Sequence, residues 1–178
     1  IDYNHQNYNR NTTFMIEKLK ILTFPDPRLR TVAKKVTKFD KSLKKLANDM
    51  LKLMYEQNGI GLAATQVNHH IRLIVIDISE NKDDPLFFVN PEFKVISTDT
   101  TLSFEEGCLS VPGFNEEITR PDNIILEWQD LDGKSHKNKP SGILTVCIQH
   151  EIDHLEGKLM VDYISPIKRD RIRKKLSR

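Results

Sequence analysis

Ile143-Leu144-Thr145-Val146-Cys147-Ile148-Gln149-His150-Glu151-Ile152-Asp153-His154 is an almost wholly apolar run that ends in the spacing H-E-x-x-H. A run this apolar reads as a helix that enters the core rather than one lying on a surface. On a helix, residues four apart stack one turn above the other, so His150 and His154 can offer ring nitrogens to one divalent ion. Glu151 is rotated by about 100° from His150. It is therefore badly placed as a third ligand and well placed to reach a water held on the metal, which is a general-base position. Buried histidines and a glutamate without a metal or hydrogen bonds would cost several kcal/mol, which argues against an accidental spacing. Ser141 is the expected cap, and the helix is expected to run to about Leu155.

The third ligand is not downstream. The pattern H-E-x-x-H-x-x-G-x-x-H is matched through Gly157, but Met160 occupies its last position, and after Glu156 the only carboxylates are Asp162 and Asp170. Upstream candidates are Cys108, Cys147, His5, His69, His70 and His136. Cys108 lies in Phe104-Glu105-Glu106-Gly107-Cys108-Leu109-Ser110-Val111-Pro112-Gly113, where glycine and proline suggest a tight irregular loop presenting thiol and amides together. Cys147 sits one turn before His150, and three ligands crowded on one helix make poor tetrahedral geometry. It reads better as a small apolar thiol beside the site.

A third segment, Gly59-Ile60-Gly61-Leu62-Ala63-Ala64-Thr65-Gln66, completes a set with Glu106-Gly107-Cys108-Leu109-Ser110 and Gln149 to His154. Together they resemble peptide deformylase, which carries G-x-G-L-A-A-x-Q, E-G-C-L-S and Q-H-E-x-D-H in that order. The similarity extends from about Leu19 to about Lys168. The resemblance implies a metal held by Cys108, His150 and His154, with a fourth position left for water. It implies Glu151 as proton carrier, and the Gln66 amide and Leu109 N–H as stabilisers of the oxyanion when the formyl carbon is attacked. It implies that Gly61 pairs with an extended substrate peptide, and that Ile60, Phe104, Ile143, Val146 and Cys147 line a pocket for methionine. The implied substrate is the N-formylmethionyl nascent peptide, with formate released. Ferrous iron is the implied physiological ion; zinc, nickel and cobalt also suit a Cys-His-His set.

The 178 residues, 38% hydrophobic, fit one domain able to bury about 70% of its unfolded surface. No apolar run is long enough to span a membrane and no secretory leader is visible. Two cysteines suited to ligation and packing indicate a reducing compartment, so a cytoplasmic setting is expected, which the resemblance implies is bacterial, or an organellar one if the N-terminal extension is a processed leader. Residues 1–14 read as an irregular, asparagine-rich extension, with Met15 as a candidate start. The catalytic domain is expected over 15–178.

From Asp40 to Asn58, Leu43, Leu46, Ala47, Met50, Leu53 and Met54 follow helical spacing, with Asp40 or Ser42 as cap and Gly59 ending it. Arg72–Ile78, Leu86–Asn90, Phe93–Ser97 and Asn123–Gln129 read as strands, with a hairpin turn at Asp132-Gly133. Strands without regular strand–helix alternation predict an α+β fold, with mixed or antiparallel sheets packed around the central H-E-x-x-H helix and a helix at the C-terminus.

The net charge of +2 hides an asymmetry. Ile167 to Arg178 holds seven Lys or Arg and one Asp, and the remaining 166 residues carry a net charge of −4. Ile172 and Leu176 are four apart, so this tail predicts an amphipathic basic helix that docks on the body or on a polyanion. The resemblance points to the ribosome; no specific DNA partner is expected. Two other readings compete. A zinc peptidase shares the water activation but needs a different third ligand. A basic RNA-binding module with a structural metal needs a fourth protein ligand, and none is apparent.

Overall fold

The computed structural model describes residues 18–178; the extension expected over 1–14, Met15 and His5 lie outside the described residues. Helix α1 spans Lys41–Glu56. Asp40 caps it by accepting the Leu43 N–H at 3.1 Å, and Leu43, Ala47, Met50, Leu53 and Met54 form its buried face. It stops before the glycine expected to end it. Asn58 takes a left-handed conformation at φ 55°, which asparagine tolerates at helix ends, and the Gly59 N–H closes on the Met54 carbonyl at 2.9 Å.

Five strands follow: β1 (Gly61–Ala63), β2 (Leu73–Ile76), β3 (Leu86–Gly107), β4 (Asn115–Gln129) and β5 (Ser135–Asn138). They form one sheet in chain order, each strand antiparallel to the next. The mixed alternative is thus replaced by an antiparallel sheet, apart from an isolated parallel bridge between Lys34 and Ile71. The strands expected at Leu86–Asn90 and Phe93–Ser97 are one strand that continues to Gly107. Register shifts between Val89 and Thr101 absorb the irregular positions, and the polar, mostly exposed run of residues 97–101 lacks the apolar alternation that marks a strand in sequence. Phe104–Gly107, expected in an irregular loop, belongs to β3 as well; the loop is confined to Cys108–Phe114 and joins β3 to β4. β5, with no apolar residue, was not expected. The Asp132-Gly133 turn brings it in, closed by Asp130 N–H to Lys134 C=O at 2.9 Å.

Alternation along β2 builds the two-sided core. Leu73 and Val75 face the α1 cluster, Ile74 and Ile76 face Ile148, Ile152 and Leu155 of α2 (Gly142–Leu155). All four β2 side chains are fully buried, each contributing about 1.5–3 kcal/mol. Apart from Asp153, every residue of α2 from Thr145 to Leu155 is buried. Ser141 stands at the N-cap position but its side chain makes no capping bond, contrary to expectation; burial on several sides holds this helix. Gly157, just past its end, has φ 73°, and a Cβ there would come within 2.6 Å of the Arg30 carbonyl oxygen. No other residue fits without displacing the backbone.

The C-terminal helix α3 spans Pro166–Leu176, with Ser165 capping it through the Lys168 N–H at 3.3 Å. Ile172 is buried with Leu22, Phe24, Leu29, Val111 and Met160, and the Arg173 guanidinium lies 5.4 Å from the Phe24 ring centre. The basic tail therefore docks on the body. Among the described residues, no helix is long and apolar enough to cross a membrane.

Candidate active site

Two elements carry the centre of the site. The deep burial of α2 brings His150 and His154 against the sheet, and the end of β3 delivers Cys108 to the same point. Cys108 Sγ lies 3.3 Å from His154 Nε2, which lies 3.3 Å from His150 Nε2. The three ligand atoms all fall within 4.8 Å of one another. Among the described residues, this is the one such cluster of metal-capable side chains. Cys147, His69, His70 and His136 are not part of it.

The donor set fits a divalent ion. His150 Nδ1 is 2.8 Å from Glu106 Oε2; an ionised carboxylate only accepts, so Nδ1 donates and the ring is oriented with Nε2 inward. Burial disfavours a charge on His150, yet the Cys108 sulfur and the Glu106 carboxylate outweigh it and hold its pKa well above the ordinary value. His154 is held well below, by burial and by the charge on His150. One sulfur and two imidazole nitrogens converging on one point make a mixed donor set that suits zinc or ferrous ions.

Glu151 is buried beside this cluster. Burial pushes its pKa up to about 7, and its Oε2 has no hydrogen-bond partner among the described residues. Its carboxylate packs against Gly61, where an added Cβ would meet Glu151 Cδ at 3.0 Å and the nearer Oε1 more closely still. Cys147, also buried, has its thiol pushed up to about 12 by that burial and by the charges of Glu151 and Glu106, so it stays protonated and behaves as an apolar wall.

A cavity of about 480 Å³ opens onto the cluster. Ile60, Phe104, Ile143, Val146 and Cys147 line it, together with Gly61, Gln66, Leu109, Cys108, His150 and Glu151. His154 lies behind them, 1% exposed. Gln66 is held in one orientation: its Oε1 accepts the Ala63 N–H at 2.9 Å and its Nε2 donates to Ser110 Oγ at 3.0 Å, with Cys108 Sγ at 3.7 Å. β1 is the edge strand of the sheet. Asp77 N–H donates to the Ile60 carbonyl at 2.9 Å, and Gly61 stands opposite Ile76. Hydrogen-bonded and non-bonded pairs alternate in an antiparallel ladder, so the N–H and C=O of Gly61 point away from β2, toward the open edge.

All the cavity and ligand residues expected from sequence are thus brought to one place. Glu106, Arg120 and Ser110 were missed as supporting groups. Glu106 stands two residues before Cys108, a visible proximity, whereas the Arg120 contact across the β3–β4 ribbon leaves no periodic mark in the sequence.

A family model for polypeptide deformylase matches residues 18–170. The peptide deformylase of Teredinibacter turnerae is 58% identical over 160 residues, covering 90% of this chain and 95% of that protein. That of Pseudomonas aeruginosa is 54% identical over the same length, with the same coverage. Among solved structures, the peptide deformylase of Legionella pneumophila is 46% identical with TM-score 0.82, over 89% of this chain and 93% of that one. The Ehrlichia chaffeensis peptide deformylase in complex with actinonin is 39% identical with TM-score 0.84, over 89% and 95%.

Proposed function

The chain belongs to the peptide deformylase family of enzymes, and on that premise we propose that it removes the formyl group from N-terminal formylmethionine of newly made polypeptides, releasing formate. The observation that carries this reading is the convergence of Cys108, His150 and His154 beside the buried Glu151, on a cavity bordered by a free strand edge. We assign Cys108 Sγ and the Nε2 atoms of His150 and His154 as ligands of one divalent ion. Such an ion, when bound, makes water nucleophilic at neutral pH and polarises the formyl carbonyl.

The chain's own residues do the rest. The Gly61 N–H and C=O pair with the substrate backbone as with an added strand, which reads main chain and leaves downstream sequence largely free. The methionine side chain enters the cavity between Ile60, Phe104, Ile143, Val146 and Cys147, an apolar lining that fits an unbranched thioether. Glu151 takes the proton of the attacking water and returns it to the departing amine. The Gln66 amide and the Leu109 N–H stabilise the oxyanion; the two bonds fixing Gln66 keep its donor in place before substrate arrives.

The decisive experiment measures formate release from formyl-Met-Ala-Ser by protein prepared anaerobically with ferrous iron, beside acetyl-Met-Ala-Ser. Formate from the formylated peptide, with the acetylated one untouched, is expected. Cleavage of internal peptide bonds instead would favour the peptidase reading. We propose ferrous iron as the physiological ion, with zinc, nickel or cobalt supporting the protein in vitro. The enzyme then works in the bacterial cytoplasm as one catalytic domain over 15–178. The basic residues of α3, around its buried Ile172, serve as a ribosome-docking face, whose cosedimentation with ribosomes weakens as salt rises.

A further inference from the structure

Behind the proposed ligands lies a chain of paired charges, Arg120 and Glu106 buried and Asp153 half-buried, with no direct part in the reaction just described. Arg120, on β4, is 4% exposed. Its Nε donates to Glu106 Oε1 at 2.6 Å and its Nη2 to Glu106 Oε2 at 2.9 Å. Glu106 Oε2 is the same oxygen that accepts from His150 Nδ1. The third arm of the guanidinium, Nη1, donates to Asp153 Oδ2 at 2.9 Å. Asp153 lies on α2 between His150 and His154. One side chain thus holds both the carboxylate behind a ligand and the helix that carries two ligands.

A fork matched to a carboxylate fixes its plane as well as its position. A carboxylate held in plane fixes in turn the imidazole that donates to it, and so the direction of the opposite nitrogen. A buried Glu106 released from Arg120 would be free to turn, and the His150 ring with it. Lysine would supply the charge without the fork. We propose that Arg120 is a positioning residue for the metal centre: its grip on Glu106 and Asp153 aims His150 Nε2 at the point shared with Cys108 and His154. This rests on the metal-dependent reading above and deepens it.

The competing role for Arg120 is a plain tie between β4 and α2, which would affect folding and nothing else. Binding and spectroscopy separate the two. The full chain, stripped of metal, is titrated with cobalt(II) against a competing chelator, and the visible spectrum of the loaded protein is recorded. Relative to wild type, Arg120→Met is expected to weaken cobalt binding about 10–100-fold and to shift the cobalt ligand-field bands. Arg120→Lys is expected to fall between the two. Tyr163→Phe, which removes the hydroxyl donating to Asp153 Oδ2 at 2.6 Å but leaves Arg120 intact, should match wild type. Wild-type affinity and spectrum in folded Arg120→Met would overturn the proposal; if that variant does not fold, the same result in Arg120→Lys would do so. Tight cobalt binding by wild type without formate release would sink the deformylase reaction and leave the role of Arg120 standing. Failure of wild type to bind cobalt would overturn both.

Discussion

Gly61 and Glu151 constrain each other closely at the cavity wall. The carboxylate occupies the space in which a side chain at 61 would have to begin, so Gly61→Ala is expected to displace Glu151. Formate release should fall at least about tenfold with metal content unchanged; wild-type kinetics in that variant would show the contact to be unimportant. Glu151→Ala should retain its metal and lose nearly all hydrolysis, and loss of the metal there would refute the assignment of Glu151 as proton carrier. Cys108→Ala should strip the metal directly, whereas Cys147→Ala should not, which elemental analysis of the purified variants decides. At this scale the sequence is informative wherever chemistry coincides with spacing. His150, Glu151 and His154 show themselves through helical period, and Cys108 through the glycines and prolines around it. Arg120 does not, because its partners lie on β3 and α2 and meet only through the register of a folded ribbon.

Among the elements, the helices were more legible than the sheet. α1 announces itself by a one-sided apolar stripe and the Asp40 cap, and Asp40→Ala is expected to lower stability by about 1 kcal/mol in urea unfolding. α2 is legible for the opposite reason: it is apolar around most of its circumference because sheet and loops enclose it. Ile148, fully buried against Ile74 and Ile76, should cost about 2–5 kcal/mol when cut to alanine, and a loss below about 1 kcal/mol would contradict such close packing. The middle of β3, residues 97–101, and all of β5 leave no strand signal in the sequence. Their residues are polar and mostly exposed, so backbone pairing with β4 defines them as strands while their side chains carry no periodic signal.

Across the whole molecule, the 3-10 turn at Met160–Asp162 is tied to Arg30, which lies 132 positions before Asp162, near the other end of the sequence. Arg30 donates to both Asp162 oxygens, at 2.6 and 2.9 Å, and the Leu159 N–H adds a third bond at 2.9 Å. Burial pushes the Asp162 carboxyl up, but these donors outweigh it and hold its pKa below the usual value. The unfolded chain therefore binds this proton more readily than the folded one. The resulting stability is fully present above the unfolded carboxylate range, about pH 4, and is lost as pH falls through the folded pKa. The gap in urea midpoint between wild type and Asp162→Asn should accordingly close as acid is added; a gap unchanged down to pH 2 would exclude this linkage.

The outward-facing amide and carbonyl of Gly61 carry a further consequence, one of timing. An edge at the side of a cleft can be completed only by a chain whose own backbone groups are still unclaimed over several residues. A polypeptide whose first residues have already joined a helix or a sheet has nothing to offer it. Susceptibility should then depend on how long an N-terminus stays extended, and fast-folding chains would have a shorter interval in which to be processed than slow ones.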